Sequence, residues 1–188
     1  DGYITFGGDG SMDAGWPKQS EWMSFKDAWN ANLNMIQNAC KNNKYGDNNS
    51  DAETQAIRSS IVSEALESKI PEAFILAIMM QESKGCVRAP TSHSDAPNPG
   101  LMQGAGTASC EATTPCPSAK IRAMIHEGVA GEDLTTSLKS TLVFFAKTTD
   151  DSKWYKAARR YNAGSQVTDR NLGHSTTNCY ASDIANRL

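Results

Sequence analysis

One carboxylate stands out by its surroundings. Phe74, Ile75, Ile78 and Met79 make the stretch from Pro71 apolar almost all round, and the run then meets Glu82. On a helix of 3.6 residues per turn, Ile75, Ile78 and Glu82 share a side, with Phe74 a turn further back. Burial there disfavours the charged carboxylate and raises its pKa. Such a group still holds a proton near neutrality, so it can act as a general acid on an ether or glycosidic oxygen. The structural alternative is a helix-end glutamate facing water, and periodicity alone does not separate the two. A loop rich in Pro, Ser, Asp and His follows, and the chain re-enters on Gly100-Leu101-Met102-Gln103.

The elements that must position Glu82 read as helices. Residues 1–19 form an extended arm with a turn at Gly7-Gly8-Asp9-Gly10 and an extended link at Trp16-Pro17. The glycines lack the Lys-Ser/Thr and the following helix of a phosphate loop. From Ser20, the residues Trp22, Phe25, Trp29, Leu33, Ile36 and Cys40 step by three or four, predicting one long amphipathic helix. Ser50-Asp51-Ala52-Glu53 is a capping box opening a second helix through Ile57, Ile61, Ala65 and Leu66. Pro71 starts the helix of Glu82. Residues 84–116 are long for a connection, and such loops tend to carry function. Pro117 and Ser118 start a fourth helix ending at the glycines 128 and 131. A fifth follows on Leu134, Leu138, Leu142 and Phe145. A sixth runs from about Ser152 through Trp154, Ala157, Ala158 and Tyr161 to a stop at Gly164. A last short helix covers Asn178 to Leu188. Strand-like alternation is almost absent, so the fold class is mainly α, with one domain over 20–188.

Composition narrows the partners. The chain has 188 residues, 21% charged, with a formal net charge of −3 and a pI near 5.6. That excludes a strongly basic binder of nucleic acid or anionic membrane. No apolar run reaches the roughly 18 residues of a membrane span. The five cysteines, Cys40, Cys86, Cys110, Cys116 and Cys179, match no zinc spacing, and His93, His126 and His174 are scattered. No metal site or cofactor is expected. Cys110 and Cys116 flank one short loop and are the expected disulfide pair; Cys40, Cys86 and Cys179 supply a second bridge and a leftover thiol, with the pairing open. The sequon Asn48-Asn49-Ser50 suits a glycosylated surface loop. The start, DGYITFGGDG, lacks the charged and apolar regions of a signal peptide, and these features favour a mature secreted protein, expected to be a monomer.

Three segments occur in order: Glu82-Ser83, Gly100-Leu101-Met102-Gln103, and Ala158-Arg159-Arg160-Tyr161-Asn162-Ala163-Gly164. Over roughly residues 50–170 this resembles the lysozyme-like superfamily of goose-type lysozymes and soluble lytic transglycosylases, and the chain as a whole is most similar to secreted fungal muramidases. The resemblance implies a lysozyme-like helical fold acting on the β-1,4 link between N-acetylmuramic acid and N-acetylglucosamine in bacterial peptidoglycan strands. It implies Glu82 as catalytic acid, with Ser83 steadying the site. Gly100, Met102 and Gln103 would offer a turn and an amide to acetamido sugars. Tyr161 would hold its hydroxyl near Glu82, and Asn162 would line the cleft. One departure matters. Goose-type enzymes carry aspartates between Glu-Ser and the end of the Gly-Leu-Met-Gln segment, to position the attacking water, whereas here Gly104-Ala105-Gly106 follow Gln103. Asp95 is the remaining candidate base, and a turn residue before Pro97 is its other reading. An inverting enzyme would hold the two carboxyls roughly 6.5–9.5 Å apart; lytic transglycosylases use one glutamate. Hydrolase, transglycosylase, a chitinase of the same fold and a non-catalytic glycan-binding domain all stay open. His126-Glu127 and His93-Ser94-Asp95 complete no zinc or triad pattern. Arg159-Arg160 reads as a solvated helix face, with contact to a peptide-stem or lactyl carboxylate as its alternative.

Overall fold

The computed structural model describes residues 2–132, 136–164, 170–173 and 179–188. Seven α-helices cover most of them: α1 Phe25–Asn42, α2 Asp51–Ser68, α3 Glu72–Ser83, α4 Ser118–Ala130, α5 Leu138–Phe144, α6 Ser152–Ala163 and α7 Tyr180–Arg187. The mainly α class is therefore observed. A two-stranded antiparallel hairpin, β1 Ser92–His93 and β2 Pro97–Asn98, pairs Ser92 with Asn98 inside the long loop. Strands of two residues are too short to leave an alternating pattern. Leu134 and Asn178, expected in the fifth and last helices, lie outside the described residues.

Caps fix the boundaries. Helix α1 begins at Phe25 rather than Ser20, because the Ser24 hydroxyl accepts from the Asp27 N–H and Trp22 is extended. Trp22 still packs on the core, stacked 6.2 Å from Phe74. The capping box of Ser50 and Glu53 opens α2. Leu66 is exposed, one residue off the Ile57, Ile61, Ala65 stripe. Helix α3 is buried continuously from Phe74 to Met80, as an all-round apolar helix must be. It forms the middle of one core that draws residues from α1, α2, α4, α6 and α7.

Gly128 was expected at the end of α4 and lies inside it. A Cβ there would collide with the Met102 side chain, so the glycine admits the 100–104 turn against the helix. The 104–108 backbone is held from the same helix: Glu127 accepts from the N–H groups of Thr107 and Ala108, both at 3.1 Å.

Two disulfides are present, Cys40–Cys86 and Cys110–Cys116, and Cys179 is a free thiol. They indicate an oxidising compartment. Among the described residues no helix is long and apolar enough to cross a membrane. Beside the disulfides lies a buried ion pair. Arg88 grips Glu53 with two bonds of 2.7 and 2.9 Å, and also donates to the carbonyls of Asp47, Asn48 and Thr113. Glu53 also accepts from the N–H groups of Ser50 and Cys116. Burial opposes its charge, but the bonds from Arg88, Ser50 and Cys116 outweigh it and hold its pKa at about 2. The sequon lies against this network: Asn48 is half-buried, its Oδ1 accepts from the Lys41 N–H at 2.9 Å, and the Ser50 hydroxyl caps α2.

Candidate active site

Glu82 occupies the last turn of α3, half-buried. The helix ends one residue on. The Ser83 hydroxyl donates to the Met79 carbonyl and accepts from the Gly85 N–H, while Lys84 and Gly85 both take positive φ. Gly85 is confined there, since a Cβ would lie 2.8 Å from Ile36. Ser83 thus shapes the helix end that presents Glu82, and does so from a buried position.

Burial is the main influence on Glu82 and raises its pKa to about 7; a hydrogen bond from Tyr180 and the charge of Lys84 pull the other way. The Tyr180 hydroxyl donates to Glu82 Oε1 at 2.6 Å. Burial and the neighbouring Glu82 charge push the Tyr180 phenol well above its ordinary range, so it keeps its proton and remains a donor. Oε1 is then committed as an acceptor, and the acid proton belongs on Oε2. Tyr180 opens α7, directly after Cys179 at positive φ. Sequence reading missed it. Its only signal is a tyrosine at the start of a weak, short helix with no motif around it.

Burial, and after it the charge of nearby Glu82, pushes the Tyr161 phenol well above its ordinary range. Its hydroxyl donates to the Met102 carbonyl at 2.7 Å, and the hydrogen bond to the acid comes from Tyr180. Tyr161 ties the 100–104 turn to α6. The turn itself packs closely on α4. Gly100 has φ +75, and a Cβ would lie 2.5 Å from the Met124 sulfur, so packing against α4 demands the glycine. The Met102 side chain is buried against Gly128. Gln103 donates to the carbonyls of Pro90 and Gly100 and accepts from the Ser92 hydroxyl at 2.6 Å. Its amide, expected to face acetamido groups, instead staples the hairpin base to the turn.

Asp95 lies exposed at the hairpin tip, between β1 and β2. Asn162 is half-buried, with its Oδ1 3.5 Å from Arg159 Nη1. Arg159 itself is fully buried, which corrects the solvated-face reading; Arg160 lies over the Phe144 ring at 3.6 Å. His126 pairs with the buried Glu64 through Nδ1 at 2.9 Å, as does Arg122 at 2.8 Å. Among the described residues no group of three or more His, Cys, Asp or Glu could hold a metal ion.

The arrangement is a helix-end carboxyl with a proton near neutrality, one oxygen fixed by a phenol, beside a turn secured from three sides. Chemically it can donate a proton to a leaving oxygen. Comparison with protein-family models, with curated proteins and with solved structures returns no match.

Proposed function

We propose that the chain is a secreted muramidase in which Glu82 protonates the β-1,4 glycosidic oxygen between N-acetylmuramic acid and N-acetylglucosamine. The observation that carries this reading is the Glu82–Tyr180 pair. Burial brings Glu82 to a pKa of about 7, and the phenol at 2.6 Å fixes its carboxyl. A general acid works best when its pKa lies near the operating pH. The resemblance of Glu82-Ser83, Gly100-Leu101-Met102-Gln103 and Tyr161-Asn162-Ala163-Gly164 to the lysozyme-like superfamily supplies the substrate class. The bond from Tyr161 to Met102 supports it, since it joins the second segment to the third beside the first. Two disulfides suit a protein acting outside the cell.

A second reading rests on Asp95. It sits exposed at a hairpin tip, and no other acid is assigned as the base that activates water. A lytic transglycosylase needs none, because the muramic 6-hydroxyl attacks and leaves a 1,6-anhydro product. Mass spectrometry of digested, purified peptidoglycan decides: hydrolysis yields fragments one water heavier than anhydro products. Cleavage of chitin oligomers with peptidoglycan left intact would overturn both readings.

A further inference from the structure

The arm preceding the helices makes a dense set of bonds to one helix. Tyr3 donates from its hydroxyl to Asp183 Oδ1 at 2.6 Å, and the Ile4 N–H donates to Asn186 Oδ1 at 2.9 Å. Asn186 Nδ2 returns a bond to the Ile4 carbonyl at 2.7 Å. The Phe6 N–H donates to the Ser182 hydroxyl at 2.9 Å, which donates to the Ile4 carbonyl at 3.1 Å. Residues 182, 183 and 186 form one face of α7. Other faces of the helix enter the apolar core. Tyr180 and Ile184 enter the main core, while Ala181 and Ala185 pack with Trp16, Tyr155 and Leu172, against which Phe6 also packs.

Helix α7 has eight residues, too few to persist in water without tertiary support. It is held between the core on one side and the arm on the other. Asp183 joins the arm to the acid's own helix: Oδ1 takes Tyr3 and Oδ2 takes Gln81 Nε2 at 3.0 Å, and Arg187 donates to Gln81 Oε1 at 3.0 Å. Gln81 is the immediate neighbour of Glu82.

We propose that the segment from Tyr3 to Phe6 is a positioning strap that fixes α7 and thereby holds the Tyr180 hydroxyl on Glu82. The strap touches neither acid nor phenol; it acts through Ser182, Asp183 and Asn186. Its effect on turnover rests on the reading of Glu82 as the acid, whereas its effect on the Glu82–Tyr180 geometry does not. Among the described residues, the titratable and charged groups around Glu82 are Tyr180 on α7, Tyr161 on α6 and Lys84 beyond α3, with Asp183 and Arg187 next to Lys84.

The test uses the full chain carrying Tyr3→Phe and Asn186→Ala, which keep Phe6 and the apolar packing. Circular dichroism establishes folding, and carboxyl carbon NMR follows the titration midpoint of Glu82. Tyr180→Phe raises that midpoint, because the phenol's bond lowers it. The strap variant raises it in the same direction, and adds nothing further in the Tyr180→Phe background. On peptidoglycan, kcat falls about three- to tenfold with KM unchanged, the size of a weakened hydrogen bond. A folded strap variant with an unmoved midpoint, or one giving the same shift without Tyr180, overturns the strap. If the double variant does not fold, Tyr3→Phe alone, which removes one hydroxyl from an exposed ring, is read the same way. Coupled midpoints without activity on peptidoglycan would instead count against the muramidase reading and leave the strap standing.

Discussion

Tyr180 donates to Glu82 Oε1 at 2.6 Å across 98 residues of sequence, joining the start of the last helix to the end of the third. The bond does two things. It fixes one oxygen of the carboxyl, and it limits how far burial can raise the pKa. Removing it separates these effects. In Tyr180→Phe the packing stays and the donor goes. A hydrogen bond to an ionised group contributes about 1.5–3 kcal/mol. We expect kcat/KM to fall about 10- to 100-fold, with the pH limb of activity moving to higher pH. Steady-state rates across pH check both.

The activity should require protonated Glu82 and so decline as pH rises through about 7. Stability carries a matching sign. Glu82 binds its proton more tightly folded than unfolded, its ordinary value being 4.5. Its contribution is therefore full below about 4.5 and lost as pH rises through about 7. Glu53 runs oppositely, since Arg88 and two backbone N–H groups hold it at about 2. Its contribution is present above 4.5 and lost as pH falls toward 2. Thermal melts should show the two losses on opposite sides of mildly acidic pH. A rate profile flat into the alkaline range would remove Glu82 as the acid.

Gly128→Ala reverses an ordinary rule. A mid-helix glycine replaced by alanine normally gains about 0.5–1 kcal/mol. Here the new methyl meets the Met102 side chain, and overpacking costs about 1–3 kcal/mol. The variant should be less stable in urea titration. It should also be less active, because Met102 carries the carbonyl that receives Tyr161.

Arg88→Ala should cost about 3–5 kcal/mol, the penalty for leaving a buried carboxylate without its partner. Its guanidinium also satisfies three carbonyls on the loops 47–48 and 113. Chemical denaturation measures the loss, which should shrink at acid pH as Glu53 becomes protonated.

Much of this architecture was legible beforehand. The box at Ser50 and Glu53, the greasy run of α3, the stop at Gly164 and the Cys110–Cys116 pair all follow from local residue chemistry. Glu82 was legible for the same reason, as an acid ending an apolar helix. The rest depends on contacts remote in sequence. Gly100 and Gly128 look like a sugar-facing turn and a helix stop, yet each exists because a methionine from the other element packs on it. Gln103 looks like a free amide, but Pro90 and Ser92 take it. Arg159 looks like a surface cation and is buried. Tyr180 has no local signature, since its role arises only when α7 docks beside α3. The hairpin of two-residue strands is below any periodicity.

Reducing-end release from purified peptidoglycan by Glu82→Gln, beside the unmodified chain, tests the central claim most directly. Glutamine keeps the shape and can still accept from Tyr180, but cannot supply the proton. General acid catalysis contributes about 10²- to 10⁴-fold. The account predicts that the unmodified chain lyses the polymer and that the folded variant loses at least about a hundredfold in rate. Undiminished release by Glu82→Gln would contradict it.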